Sequence, residues 1–400
     1  MISPIKYRLL DLNKKWNLIA IFWFGVPFIA LILEVMRSPV QINNYLIFKN
    51  VFWHTIQEQN LYDFYPNSYS DKNHYGPLFS LLIAPFAIFP DYIGVILWGM
   101  FNVSILFYAV QKLPVSNWGK SIILLVSLIE TLTSIQNVQS NPMICSWIIL
   151  TYVSIKDSKL GLAALLIVAG TLIKVYGIVG LPFIFLSKDY KKIVGYIILW
   201  AFILFCLPMF ISSYEYIIQT YKNWYLSLVE KNSENLLASE NGGMQDISVM
   251  GFFKRITGHY TLKNFYFLAP AATIMLMPLY RFSKLNNLKY QLTYLAQILI
   301  GVVIFSSSAE SPTYVIAVVG FAIWYVLYAP KPPVWLYILL ILTLLLTVFS
   351  PTDLFPRYLR EAFVLKYSLK TLPCFIAWLI ISFNLLFNNF SKLAVHEKEA

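Results

Sequence analysis

From Leu18 to Phe387 the chain is a succession of apolar runs, most of them 14–20 residues long, separated by short polar turns. In lipid a helix satisfies its own backbone hydrogen bonds, and about 20 apolar residues span the hydrocarbon core. Shorter runs are tolerated where other protein surrounds them. The runs lie near 17–36, 77–90, 92–111, 121–136, 142–155, 160–174, 176–187, 193–212, 265–282, 292–308, 313–329, 333–349 and 371–388. They predict an all-α, polytopic transmembrane helical bundle of about 11–13 membrane segments with outward-facing loops. Only 12% of the 400 residues are charged, too few to cover a soluble protein of this size. No repeat of 20–50 residues is present, which excludes a solenoid.

The formal charge is +11, from 30 Lys and Arg against 19 Asp and Glu. On a membrane chain this excess belongs to cytoplasmic loops and to contact with anionic head groups. Membrane lipids are expected as partners; no basic stripe points to nucleic acid. Cys145, Cys206 and Cys374 all sit in apolar runs without CxxC spacing, so packing is expected of them rather than a disulfide or a metal site. Neither a metal nor a cofactor is expected.

Lys6, Arg8, Lys14 and Lys15 precede the first run, and no small-residue cleavage site follows it. This predicts a retained first span with its basic flank in the cytoplasm, and a multi-pass protein of the cytoplasmic (inner) membrane. Residues 1–400 are read as a single integral membrane domain. Residues 37–76 form a first outer loop, in which Ile42 to Gln57 has the spacing of a surface helix. Residues 213–264 form a long outer loop, 350–370 an interfacial or loop helix, and 390–400 a frayed tail. Strict counting puts the two outer loops one crossing out of parity, and the weak 77–90 run is the segment most easily read as re-entrant.

Candidate chemistry concentrates at Asp71-Lys72-Asn73-His74-Tyr75, directly ahead of Gly76-Pro77 and an apolar run. Asp71 there is either a general base aimed at a hydroxyl or a loop cap, with Lys72, His74 and Tyr75 as substrate-binding neighbours. Asp63 is a weaker candidate. Glu310 lies in a four-serine, proline-broken notch, Ser306-Ser307-Ser308-Ala309-Glu310-Ser311-Pro312, and is either a site acid or a helix-start acid. Lys174 ends the 160–174 run and would hold a phosphate as a point charge or simply snorkel. Arg255, with Lys254 and His259, would bind a phosphate or pyrophosphate head or is ordinary positive charge at a membrane boundary. Glu130, inside an apolar run, should face the bundle or snorkel. Walker A, GxGxxG, HExxH and nucleophile-elbow patterns are all missing. A membrane enzyme without a nucleotide site needs a substrate activated beforehand, and a lipid phosphate is the natural candidate.

The order of motifs resembles glycosyltransferase family 87, polyprenol-phosphate-mannose-dependent mannosyltransferases of the GT-C class. A surface helix and loop lead to Tyr75-Gly76-Pro77, then to Leu78-Phe79-Ser80-Leu81-Leu82-Ile83-Ala84-Pro85, Trp98 and Asn102. Gln136-Asn137-Val138-Gln139-Ser140-Asn141 is similar to the family's Gln-x-Asn turn, and Gly161 through Gly170, then Ile173-Lys174, to its Gly-rich helix ending in Lys. Asn241-Gly242-Gly243-Met244-Gln245-Asp246, followed by Lys254-Arg255, resembles its Asn-Gln-Ser and Arg region. Ser311-Pro312-Thr313-Tyr314 resembles its late Ser-Pro motif. The likeness covers roughly residues 40–330. It departs where the family carries an early acid, here Asn43-Asn44-Tyr45, and where a His should follow the late Ser-Pro, here Val315-Ile316-Ala317.

The resemblance implies a GT-C-type hexosyltransferase. It would move mannose by default from a polyprenyl-phosphate sugar donor to a glycolipid or glycan acceptor outside the membrane. Asp71 and Glu310 are the catalytic candidates; His74, Tyr75, Lys72, Lys174, Arg255, Asp246 and Asn141 are the substrate-binding ones. A lipid-linked glycan flippase or other transporter, and a non-catalytic membrane assembly factor, are the rival readings. Convergence of Asp71, Glu310, Lys174 and Arg255 on one cavity would favour the enzyme; dispersal would favour a scaffold.

Overall fold

A computed structural model describes residues 4–37, 42–240, 246–328 and 331–390. The 241–245 part of the Asn-Gly-Gly motif and the tail beyond 390 lie outside the described residues. Helices α1 (Pro4–Arg37), α2 (Asn43–Ile56), α3 (Phe79–Ala87), α4 (Asp91–Lys112), α5 (Asn117–Gln136), α6 (Asn141–Lys156) and α7 (Leu160–Lys174) come first. A 3-10 stretch, Tyr176–Leu186, leads to α8 (Tyr190–Cys206), α9 (Tyr214–Glu240), α10 (Val249–Thr257) and α11 (Phe265–Leu276). The bundle closes with α12 (Leu288–Ile304), α13 (Tyr314–Val326), α14 (Val334–Leu342), the single turn α15 (Arg357–Leu359) and α16 (Leu372–Phe387). Among the described residues five helical segments are long and apolar enough to cross a membrane, and six shorter apolar stretches accompany them. The protein is a polytopic membrane bundle. Ile21 and Phe22 on α1, Ile198 and Phe202 on α8, and Phe383 and Phe387 on α16 form its apolar outer surface.

The centre is α13. Its sequence, YVIAVVGFAIWYV, is apolar all round, and every residue is buried, as a helix without a polar face requires. It packs against α12 and α5. Gly320 permits the close approach to α12, since a Cβ there would stand 2.8 Å from Leu299 Cβ. The N-terminal end of this rigid helix carries the serine-rich notch.

Three expectations need correction or completion. The 77–90 run forms only the nine-residue α3, about 13 Å of helix at 1.5 Å per residue, against a core of about 30 Å. It packs beside α2 and α4 instead of crossing. The two segments expected as outer loops touch, which puts them on one side of the bundle: Tyr216 OH donates to the Gln59 carbonyl at 2.6 Å, and Ser213 N donates to Glu58 Oε1 at 2.9 Å. The long 213–264 segment is not a loop but mostly α9 and α10. No Pro or Gly interrupts residues 214–240, and Ile217, Thr220, Trp224, Ser227 and Asn235 are buried along one face at helical spacing. Residues 350–370 are helical as expected, but in short pieces: α15, a π turn Arg360–Leu365, and a 3-10 turn Leu369–Thr371.

Glu130 faces inward. It is fully buried and accepts a hydrogen bond from Lys370 Nζ at 2.7 Å. Lys370 also donates to Ser311 Oγ at 2.9 Å and lies 5.0 Å from the centre of the Tyr314 ring. One buried ammonium thus ties α5 and the start of α16 to the notch.

Candidate active site

A cavity of about 440 Å³ opens where α2, the 71–75 turn, the end of α7, α9 and the notch meet. Asn44, Ile47 and Phe48 line it from α2, Lys174, Val175 and Tyr176 from the α7 exit, and Leu228 and Lys231 from α9. Asp71 through Tyr75, Gln139, Ser308, Glu310 and Thr313 complete the wall.

The 71–77 turn is docked by its backbone. Gly76 N donates to the Ile173 carbonyl at 3.0 Å, Trp224 Nε1 to the His74 carbonyl at 3.0 Å, and Tyr62 OH to the Tyr75 carbonyl at 3.1 Å. Position 76 has no room for a side chain: a Cβ would come within 1.9 Å of the Leu172 carbonyl oxygen. Proline there would also lack the donating N–H. Gly76→Ala is expected to destabilise the fold by about 1–3 kcal/mol through overpacking. Thermal melting of the purified variant checks this; an unchanged melting temperature would contradict the docking.

Lys174 is held from three sides. Its Nζ donates to Asn141 Oδ1 at 2.7 Å and to Tyr75 OH at 3.3 Å, and the rings of Tyr75 and Tyr176 lie 5.3 and 5.7 Å from it. Asn141 in turn donates to the Pro312 carbonyl at 3.0 Å. A single polar chain therefore joins the 71–77 turn, α6, α7 and the notch. The motif residues Trp98 and Asn102 brace the Gln139-Ser140-Asn141 turn: Trp98 Nε1 donates to the Val138 carbonyl at 3.3 Å, and Met143 N to Asn102 Oδ1 at 3.2 Å. Val138 and Val175 both have positive φ, 52° and 53°. For β-branched residues this costs roughly 1–3 kcal/mol each, and Val175 is in the cavity wall.

The notch is pinned to its neighbours. Ser306 shares a 2.8 Å hydrogen bond with Tyr176 OH, Ser307 Oγ donates to Asn232 Oδ1 at 2.9 Å, and Asn235 Nδ2 donates to Ser308 Oγ at 3.0 Å. Glu310 follows, its backbone N donating to Thr313 Oγ1 at 3.3 Å. Burial, helped by the charge of Asp71, holds the Glu310 carboxyl above its ordinary range, against the pull of Lys231 and Lys174. Burial, reinforced by the nearby Lys231 charge, pushes His74 down to about 4. At neutral pH that imidazole carries no charge, and its Nδ1 lies 3.0 Å from Ser227 Oγ. Two carboxylates and three ammonium groups, those of Lys72, Lys174 and Lys231, thus share one cavity. Such a site can accept a proton from a hydroxyl and steady an anionic leaving group.

Asp71, Lys72, His74, Tyr75, Lys174 and Glu310 come together here from separate parts of the sequence. Asn141 does not line the cavity; it is fully buried and acts on Lys174. Arg255 and Asp246 stand behind the notch rather than in the cavity. Arg255 Nη1 donates to the Leu365 carbonyl at 2.9 Å and to Ser368 Oγ at 2.5 Å. Asp246 Oδ1 accepts from Ser248 Oγ at 2.5 Å, and the next residue, Ile247, donates its N–H to the Ala309 carbonyl at 2.8 Å. Arg255 is buried on α10, and Asp246 lies in the irregular stretch before it, whose backbone is bonded to the notch. Lys254 is likewise buried, its Nζ bonded to Asn264, and His259 is exposed. Lys231, Gln139 and Asn44 were not foreseen as cavity residues. Lys231 shares the α9 face of Trp224, Ser227 and Asn235, a spacing visible once 214–240 is read as a helix.

The sequence profile described as glycosyltransferase family 87 matches residues 73–351, beginning inside the 71–77 turn and running past the notch. No curated protein matches the chain. Among solved structures, ArnT from Cupriavidus metallidurans bound to undecaprenyl phosphate is similar over 92% of this chain and 77% of that chain. The identity is 12% and the TM-score 0.36.

Proposed function

Because the chain belongs to glycosyltransferase family 87, we propose that it transfers a hexose, by default mannose, from a polyprenyl phosphate to a glycolipid or glycan acceptor. The reaction takes place at the outer face of the cytoplasmic membrane. The observation that carries this is the meeting of Glu310 and Asp71 with Lys174, Lys231 and Lys72 around one cavity in a membrane bundle.

The acceptor hydroxyl oxygen attacks the anomeric carbon. The bond from that carbon to the phosphate oxygen breaks, and its electron pair leaves with the polyprenyl phosphate. The hydroxyl proton passes to a carboxylate, Glu310 first and Asp71 second. A single displacement inverts the anomeric centre. Lys174 is the ammonium best fixed to meet the departing phosphate, since Asn141 and Tyr75 hold it in place. Lys231 and Lys72 add positive charge at the rim. Uncharged His74 serves as a hydrogen-bonding wall and not as an acid.

A base works only when ionised, and burial raises the Glu310 carboxyl above the usual value of about 4.3. Transfer is therefore expected to fall as the pH drops through that raised value, and the acid limb should sit above the ordinary carboxylate range. Rates measured from pH 4 to 8 with radiolabelled polyprenyl-phosphate mannose check it. A flat profile down to about pH 4 would remove Glu310 as the base. The reading as a whole fails if no lipid-phosphate sugar gives incorporation.

A further inference from the structure

Beside the main cavity lies a second, more open cleft of about 400 Å³, lined by Asn60, Asp63, Phe64, Asn223, Glu230 and Lys72 among others. We infer that this cleft seats the acceptor's sugar, a neutral, hydroxyl-rich ring, and delivers one of its hydroxyls to the cavity. The inference rests on the transferase reading and deepens it by giving the acceptor a place and a chemical class.

Contiguity is the first argument. Lys72 lines both spaces. The wall between them consists of side-chain contacts from the 71–75 turn to α9: Lys72 Nζ to Glu230 Oε1 at 2.9 Å, and His74 Nδ1 to Ser227 Oγ at 3.0 Å. A ligand held in the cleft is separated from the main cavity by these side chains.

Charge is the second. The cleft lining contains two acids, Asp63 and Glu230, and one cation, Lys72, which Glu230 already pairs. A phosphate head would meet net negative charge there, whereas in the main cavity Lys174 and Lys231, with Lys72 at the shared edge, offset Asp71 and Glu310. The anionic donor and the neutral acceptor are thereby sorted between the two spaces.

Hydrogen-bonding chemistry is the third. The amides are fixed in orientation before anything binds. Asn60 Nδ2 donates to Asp63 Oδ1 at 2.7 Å, Tyr62 N donates to Asn60 Oδ1 at 3.2 Å, and Gln219 Nε2 donates to Asn223 Oδ1 at 2.9 Å. Such a wall mixes donors and acceptors, and hydroxyl groups, which do both, match it. Phe64 is 51% exposed at this edge, an aromatic surface on which the C–H face of a pyranose can rest. The volume lies within the ~300–1,000 Å³ of small-ligand pockets.

The test is direct binding, separate from transfer. Full-length protein in lipid nanodiscs is titrated with methyl α-mannopyranoside, methyl α-glucopyranoside and methyl β-galactopyranoside by saturation-transfer NMR. Undecaprenyl phosphate binding is followed in parallel by thermal shift. At least one glycoside is expected to bind the wild type without being displaced by undecaprenyl phosphate. Phe64→Ala or Asn223→Ala should weaken it about tenfold or more, with the lipid-induced shift unchanged. The inference is overturned if none of the three binds, if both variants bind as well as the wild type, or if undecaprenyl phosphate competes. A wild type that binds a glycoside but shows no lipid shift would instead sink the donor assignment and leave the cleft standing.

Discussion

Glu310→Gln lowers the turnover of hexose transfer by about 10²–10⁴-fold, the usual contribution of a general base, and leaves donor binding nearly unchanged. Glutamine keeps the size and hydrogen-bonding edge of the side chain, so the notch, pinned by Asn232, Asn235 and Tyr176, stays in place. Only the capacity to take a proton is lost, and kcat should therefore fall without a matching rise in KM. Asp71→Asn should cost much less. Asp71 is exposed, and its Oδ1 is engaged by the backbone N–H of Lys72 at 2.7 Å. Its charge helps hold the Glu310 carboxyl up, so its removal should also move the acid limb of the rate profile downward. Membranes carrying each variant, assayed with radiolabelled polyprenyl-phosphate mannose, decide the matter. A larger loss for Asp71→Asn would exchange the two roles, and unchanged turnover in both would end the assignment.

The second large effect is on stability. Lys370→Met should destabilise the bundle by about 3–5 kcal/mol, because it leaves the Glu130 carboxylate buried without its partner. Against a total of about 5–15 kcal/mol, little folded protein is expected in detergent. Replacing both members, Glu130→Leu with Lys370→Met, should restore most of the yield and melting temperature, since a buried pair contributes little net stability over apolar packing. Its transfer rate should stay below wild type, because Ser311 loses the ammonium that steadies the notch. A single Lys370→Met variant as stable as wild type would show that the pair is dispensable.

Much of the scaffold can be read from hydropathy alone. The runs at 92–111, 142–155, 160–174 and 371–388 fall within a few residues of α4, α6, α7 and α16, because lipid imposes helix wherever a long apolar run occurs. Lys174 was locatable as the cation ending α7. What escaped was helix built without that signal. The buried stripe of α9 includes Thr220, Ser227 and Asn235, so its hydropathy is that of a loop, and Lys231 was hidden with it. Partnerships at long range also leave no local trace. Nothing near Glu130 points to Lys370, and nothing near Asn141 says that its amide serves Lys174 and Pro312 instead of a ligand. Arg255 carried the right charge at a membrane boundary, yet its use is to hold residues 365–368. The missing early acid is the reverse case: Asn44 does line the cavity, but its Nδ2 is bonded to the Asn137 carbonyl at 2.8 Å.

The union of Glu130 with Lys370 spans 240 positions in the chain, and this bears on how the protein is made. At roughly 5–20 residues per second, the lysine is synthesised about 12–48 s after the glutamate. During that interval the acid of the fifth helix has no Lys370 to pair with. Final closure of the bundle, and with it the shaping of the notch, waits for the last helix to emerge, so a nascent chain that stops short of Leu369 has every cavity residue and still lacks the clasp that holds the notch in place.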